Sequence, residues 1–138
     1  MTDRRKPLPQ TDEQWRDALT EQQYQVARCK GTEPAFSGEY EKCYRSGAYR
    51  CVCCGEVLFL SETKYDSGSG WPSFYRPATE QSVSTADDRS EGRERIEVLC
   101  RRCGAHLGHV FDDGPAPTGL RYCINSVCLN LDESVKPE

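Results

Sequence analysis

No apolar run approaches the ~20 residues that cross a bilayer as a helix, so no membrane span is expected. The charged opening Met1-Thr2-Asp3-Arg4-Arg5-Lys6-Pro7 leads into no apolar stretch, so no secretory signal is expected either. There is no basic surplus. Lys and Arg total 18 against 22 Asp and Glu, a net charge of −4. Dedicated nucleic-acid binders carry an excess of the other sign. Apolar side chains make up only 36% of 138 residues. That length is one domain's worth, and so polar a domain has a thin core that calls for covalent or metal help.

Cysteine is the exception, with nine copies. An odd count leaves one thiol outside any full set of disulfides. Without a signal the expected compartment is the reducing cytoplasm, where this usage points to metal binding or thiol chemistry.

Residues 1–10, with Pro7 and Pro9 among charges, read as a tail. Thr11 to Gln14 and Thr20 to Gln23 have the form of capping boxes, predicting helices over 11–19 and 20–28. Trp15, Ala18 and Leu19 share one face of the first helix, and Tyr24 and Ala27 are three apart in the second. After Gly31, strand-like pieces alternate with Gly, Pro, Ser and Asp. They are Ala48–Val52, Val57–Leu60, Ser82–Ala86, Arg93–Cys100, His109–Phe111 and Leu120–Leu131. Ile96, Val98 and Cys100 alternate with Glu97 and Leu99 as on a strand with one face more buried. Helices followed by strands predict an α+β domain, mainly antiparallel β, over 11–131, with a C-terminal tail at 132–138.

Cys51–Cys54 and Cys100–Cys103 are two C-x-x-C pairs, each followed by glycine, Gly55 and Gly104. Two intervening residues let a tight turn aim both sulfurs at one ion, and glycine permits the turn. Four thiolates leave no open position, so the expected ion is a structural zinc. Two readings compete with it: buried free cysteines, and a redox dithiol at each pair. Pairing Cys51 with Cys53 would be a poorer match to the second knuckle.

Cys123 stands in Arg121-Tyr122-Cys123-Ile124-Asn125. On a strand, Arg121, Cys123 and Asn125 share a face. A cation and an amide beside a thiol favour the reactive thiolate. The two histidines, His106 and His109, follow the second knuckle closely, and a cysteine with histidines elsewhere is a candidate nucleophile. Taken singly, Cys123 reads as a small buried hydrophobe, either histidine as structural and Trp71 as core. The glycines and proline around Trp71 argue instead for an exposed rigid loop whose ring could wall an apolar pocket.

Taken together, these residues resemble the methionine-R-sulfoxide reductase family of the B type. The resemblance rests on Gly31-Thr32-Glu33-Pro34, both C-x-x-C pairs, Lys64-Tyr65-Asp66-Ser67-Gly68, Gly70-Trp71-Pro72-Ser73-Phe74, the run His106 to Pro115, and Arg121 to Ser126. It implies two antiparallel sheets with short N-terminal helices and a structural zinc. It implies Cys123 as nucleophile on the sulfoxide sulfur and His109 as acid, with His106 second. Asn125 would orient the thiolate. Trp71 and Phe111 would receive the substrate's methyl group, with Arg121 beside them. Partners would be oxidised proteins or peptides bearing methionine-R-sulfoxide, with thioredoxin as reductant and the chain a monomer. Many members carry a resolving cysteine between the two glycines before the tryptophan; here that residue is Ser69. The expected substitutes are Cys43, then Cys29, unless thioredoxin or a small thiol reduces the sulfenic acid directly.

A zinc-ribbon binding module would explain the four cysteines and Arg89, Arg93, Arg95, Arg101 and Arg102. Those arginines are interleaved with Glu91, Glu94 and Glu97, which reads as a solvated face. A disulfide-stapled secreted domain fits neither the missing signal nor the odd cysteine count.

Overall fold

A computed structural model describes residues 11–89, 92 and 94–134. The tail predicted at 1–10, residues 135–138, and Glu91 and Arg93 of the charged stretch lie outside the described residues. Two helices come first, α1 (Asp12–Ala18) and α2 (Glu21–Ala27), and both capping boxes are formed. Thr11 and Thr20 hydroxyls each accept from the amide three residues on, and the Gln14 and Gln23 side chains accept in return. The first helix buries only Trp15 of the predicted face, because Ala18 is exposed.

Among the described residues nine strands follow: β1 (Ala48–Cys51), β2 (Val57–Leu60), β3 (Lys64–Tyr65), β4 (Ser73–Phe74), β5 (Val83–Asp88), β6 (Arg95–Cys100), β7 (His106–Phe111), β8 (Arg121–Ile124) and β9 (Leu129–Asp132). They form two antiparallel sheets, ordered β2-β1-β9 and β3-β4-β8-β7-β6-β5. The α+β reading with two sheets and short leading helices is what the structure has. The long strand predicted over Leu120–Leu131 is two strands, one in each sheet, parted by a 3-10 turn at Ser126–Cys128. The boundary expected at 132 falls within β9, since Asp132 pairs with Ala48 and its carboxylate holds Arg50 at 2.9 Å.

The core lies between the sheets. Phe59 stacks on Phe74 at 4.4 Å between ring centroids, and Tyr49 meets Phe74 edge-on at 5.3 Å. Tyr122 and Ile124 of β8 point into this layer, which leaves Cys123 on the opposite face.

Strand β7 begins at His106, three residues before the predicted start. Gly108 hides it from a propensity reading, yet glycine is required there: a Cβ would stand 2.0 Å from the Cys123 carbonyl oxygen. The register also slips in β7. Val98 pairs with Gly108 and Leu99 with His106, so Leu107 is an extra residue. That bulge reverses the parity of the strand and brings His106 and His109 to one side, 5.5 Å apart between ring centroids.

Candidate active site and candidate metal centre

The two cysteine knuckles are built alike. The Gly55 amide donates to the Cys51 carbonyl and the Gly104 amide to that of Cys100, both at 2.8 Å. Both glycines hold positive φ, 81° and 76°, as those turns need. Cys51 ends a strand of the small sheet and Cys100 one of the large sheet. Their sulfurs and those of Cys54 and Cys103 all lie within 4.8 Å of one another. Cys51 and Cys103 are 3.7 Å apart, Cys54 and Cys100 3.6 Å. A tetrahedral zinc with ~2.3 Å bonds to sulfur sets its ligands ~3.8 Å apart, so the donor set fits such an ion. Arg102 reaches from the second knuckle to the Cys54 carbonyl at 2.9 Å, and Arg28 from the helices to that of Cys103 at 3.1 Å.

The other constellation lies on the outer face of the large sheet. Cys123 is the cross-strand neighbour of His109 on β7 and of Ser73 on β4. It lines a cleft of about 480 Å³ together with Ser69, Trp71, His109, Phe111, Arg121 and Asn125. The expectation that Arg121, Cys123 and Asn125 share a face therefore holds. Neither Cys43 nor Cys29 lines this cleft, and nor does His106.

Burial pushes the Cys123 thiol above its ordinary pKa. Ser69 and Arg121 oppose that shift, and Glu33 and Asp113 add to it. The reading of a thiol already stabilised as thiolate is corrected accordingly. Arg121 is engaged elsewhere: its guanidinium pairs with both Asp113 oxygens, at 2.8 and 3.1 Å, and lies over the Phe111 ring at 4.4 Å. The Asn125 amide is spent as well. Its nitrogen donates to the Leu107 carbonyl and its oxygen accepts from the Glu33 amide, each at 3.0 Å.

Trp71 is half-buried rather than exposed, and its indole N–H donates to the Glu33 carbonyl at 3.0 Å. Phe36 and Ala35 fill the space a Gly70 side chain would need. The tryptophan is thus fastened to the Gly31–Phe36 segment as a fixed wall.

Each histidine has a buried carboxylate. His109 Nε2 is 2.7 Å from Asp88 and His106 Nδ1 is 2.7 Å from Glu97. Lys30 stands between the two acids, 3.5 Å from Asp88 and 3.4 Å from Glu97, and Arg95 approaches Asp88 at 3.6 Å. Burial lowers the His106 pKa, with Glu97 opposing it. Glu97 is therefore not part of a solvated face: it is 7% exposed, while Ile96, read as inward, is 45% exposed. Val98 and Cys100 are buried as the alternation predicts, but at the start of β6 the inward residue is Glu97 and not Ile96, and Asp88 comes from the neighbouring strand β5, so neither acid is legible from the alternation of β6. The faint signal was an acid beside an apolar run and opposite a histidine.

Residues 19–133 match the SelR domain. Over 121 residues the chain is 60% identical to the peptide methionine sulfoxide reductase MsrB of Cellvibrio japonicus, covering 88% of this chain and 86% of that protein. It is 58% identical over 124 residues to the protein of the same name from Pseudomonas syringae pv. syringae, covering 90% and 95%. For the Pseudomonas aeruginosa protein of that name the figure is again 58%, over 126 residues, 91% and 92% of the two lengths. A match of this extent takes in both the four-sulfur cluster and the Cys123 cleft, and the chain belongs to the SelR-domain, MsrB family.

Proposed function

We propose that this protein reduces the R epimer of methionine sulfoxide, in proteins or in blocked amino-acid form, with Cys123 as nucleophile. The observation that carries this reading is the cleft. It sets one thiol between an apolar wall and a carboxylate-held imidazole. Trp71, with Phe111 beside it, takes the methyl on the substrate sulfur. Because Arg121 covers one Phe111 face, Trp71 is the main contact. The Cys123 sulfur attacks the sulfoxide sulfur, and the departing oxygen needs a proton. His109 supplies it: Asp88 accepts from Nε2–H and leaves Nδ1 to carry the acid proton. The oxygen ends on Cys123 as a sulfenic acid and methionine is released. Asn125 holds the Glu33 and Leu107 backbones at the cleft rather than touching the thiol. His106 supports His109 from the buried side.

The four cysteines hold a structural zinc that joins the two sheets. The chain acts as a monomer in the cytoplasm, on oxidised proteins, with thioredoxin as final reductant. Among the described residues no helix is long and apolar enough to cross a membrane. The test supplies both epimers of a blocked methionine sulfoxide with dithiothreitol and follows the sulfide by chromatography. R-selective turnover is expected; a folded chain that reduces neither epimer refutes the reading. In the same assay His109→Asn is expected to lose ~10²–10⁴-fold, the usual worth of a general acid. His106→Asn is expected to lose stability first, seen as a lower Tm with far smaller loss of turnover.

Cys43 is proposed to resolve the sulfenic acid, expelling water as a disulfide forms with Cys123. Burial acts to raise its pKa, but Arg45, whose Nε donates to Cys43 Sγ at 3.5 Å, and Tyr49 outweigh that and lower it. A lowered pKa suits an attacking thiol. Since Cys43 does not line the cleft, the 38–47 segment must move for the sulfurs to meet. Peptide mapping after one turnover without reductant is expected to find Cys43 joined to Cys123. A Cys29–Cys123 peptide, or no disulfide, overturns this.

A further inference from the structure

Ser69, the residue that cannot resolve a sulfenic acid, brings its side chain to the nucleophile. Its Oγ lies 3.8 Å from Cys123 Sγ. It ends a chain of three hydroxyls. Ser73, whose hydroxyl donates to the Trp71 carbonyl at 3.1 Å, lies 2.7 Å from Ser67, and Ser67 Oγ donates to Ser69 Oγ at 2.8 Å. Ser73 is buried at the cross-strand position from Cys123, so the chain starts in the rigid sheet and returns to the same cysteine.

Proton counting sets its direction. A hydroxyl has one proton and two acceptor sites. The Ser69 oxygen accepts from Ser67 O–H and from the Trp71 amide at 3.4 Å. Its acceptor sites are then filled and its own proton must be donated. Two acceptors are in reach: the Trp71 carbonyl at 3.5 Å and the Cys123 sulfur. A sulfur that becomes an anion is the stronger acceptor, because a hydrogen bond to a charged partner is about twice as strong as a neutral one.

We infer that Ser69 is a catalytic residue: its hydroxyl, oriented and polarised by Ser67, donates a hydrogen bond to the Cys123 thiolate and offsets the cost of ionising a buried thiol. Ser67 is the positioning residue for that donor, and Ser73 anchors Ser67 to the sheet. No proton is transferred along the chain; each hydroxyl keeps its own and only turns it. The role rests on the reading of Cys123 as nucleophile, but its test does not need turnover.

The test is the rate of Cys123 alkylation by iodoacetamide, followed by peptide mass spectrometry across pH 6–10 on the zinc-loaded full chain. Ser69→Ala is expected to raise the apparent pKa of Cys123 by about one to two units, the worth of one hydrogen bond to a charge. Alkylation at pH 7.5 then slows about 10–100-fold. Ser69→Thr keeps the hydroxyl and is expected to stay near the native profile. Ser67→Ala, which does not touch the sulfur, is expected to shift the profile the same way by less. A Ser69→Ala profile that superimposes on the native one overturns the inference. Should that variant fail to fold, an unshifted Ser67→Ala profile overturns it instead. A native chain that reduces no sulfoxide yet shows the expected shifts refutes the reductase reading and leaves the Ser69 hydrogen bond standing.

Discussion

A folded, zinc-loaded Cys123→Ser chain is expected to lose R-sulfoxide turnover by ~10³-fold or more, as enzymes do when their sole nucleophile is removed. A serine hydroxyl at this site has no accessible anion and cannot take up the oxygen as a sulfenic acid. The substitution costs little structure, since Cys123 faces the cleft while Tyr122 and Ile124 hold β8 in the core. An unchanged Tm beside lost turnover is therefore expected, and turnover above ~1% of native would assign the reaction to another thiol. The native chain carries a matching pH signature. Because burial raises the Cys123 pKa, the thiolate fraction is small at neutral pH and grows as pH rises. The rate of Cys123 alkylation by iodoacetamide, which needs the thiolate but no proton donor, is expected to climb through pH 7–9 and to level only above the ordinary thiol range. A rate that is flat from pH 6 would mean that the thiol is already ionised and that burial is not the dominant influence.

Removing the metal is expected to cost the fold itself. Structural zinc binding is worth ~10–16 kcal/mol in small sites, whereas a whole domain is stable by only ~5–15 kcal/mol. Here the four sulfurs join a strand of each sheet and, through Arg28, the leading helices. Chelation under reducing conditions, or Cys100→Ser, is expected to abolish the cooperative thermal transition and to lower metal content measured by mass spectrometry. Cys100 is fully buried, so serine there also leaves a hydroxyl without a cation to face. A metal-free chain that melts at the native temperature would revive the reading of four buried free cysteines.

What could be read along the chain is what is encoded within a few residues. The two capping boxes at Thr11 and Thr20 each close within four residues, so both helices were legible. A C-x-x-C with a following glycine specifies its own turn, so both knuckles were legible too. The Arg121-Cys123-Asn125 face follows from the alternation of a single strand. The two-residue strands β3 and β4 carry no periodicity and exist only because β8 pairs with β4.

The acid machinery of the cleft was beyond local reading. His106 and His109 are an odd number of residues apart and should point to opposite faces of a strand. The bulge at Leu107 puts them on one side, and that bulge is a property of the pairing with β6. Their carboxylates come from two other strands, and Lys30, which stands between the acids, comes from the end of the helical segment. Whether Cys123 rests as thiol or thiolate was likewise settled by surroundings: a lone strand offers it Arg121, but the folded chain buries the sulfur and gives Arg121 to Asp113. Turns, caps and ligand spacings are short-range and survive in one dimension. Burial, partner choice and proton affinity depend on residues distant in sequence, and only packing brings those together.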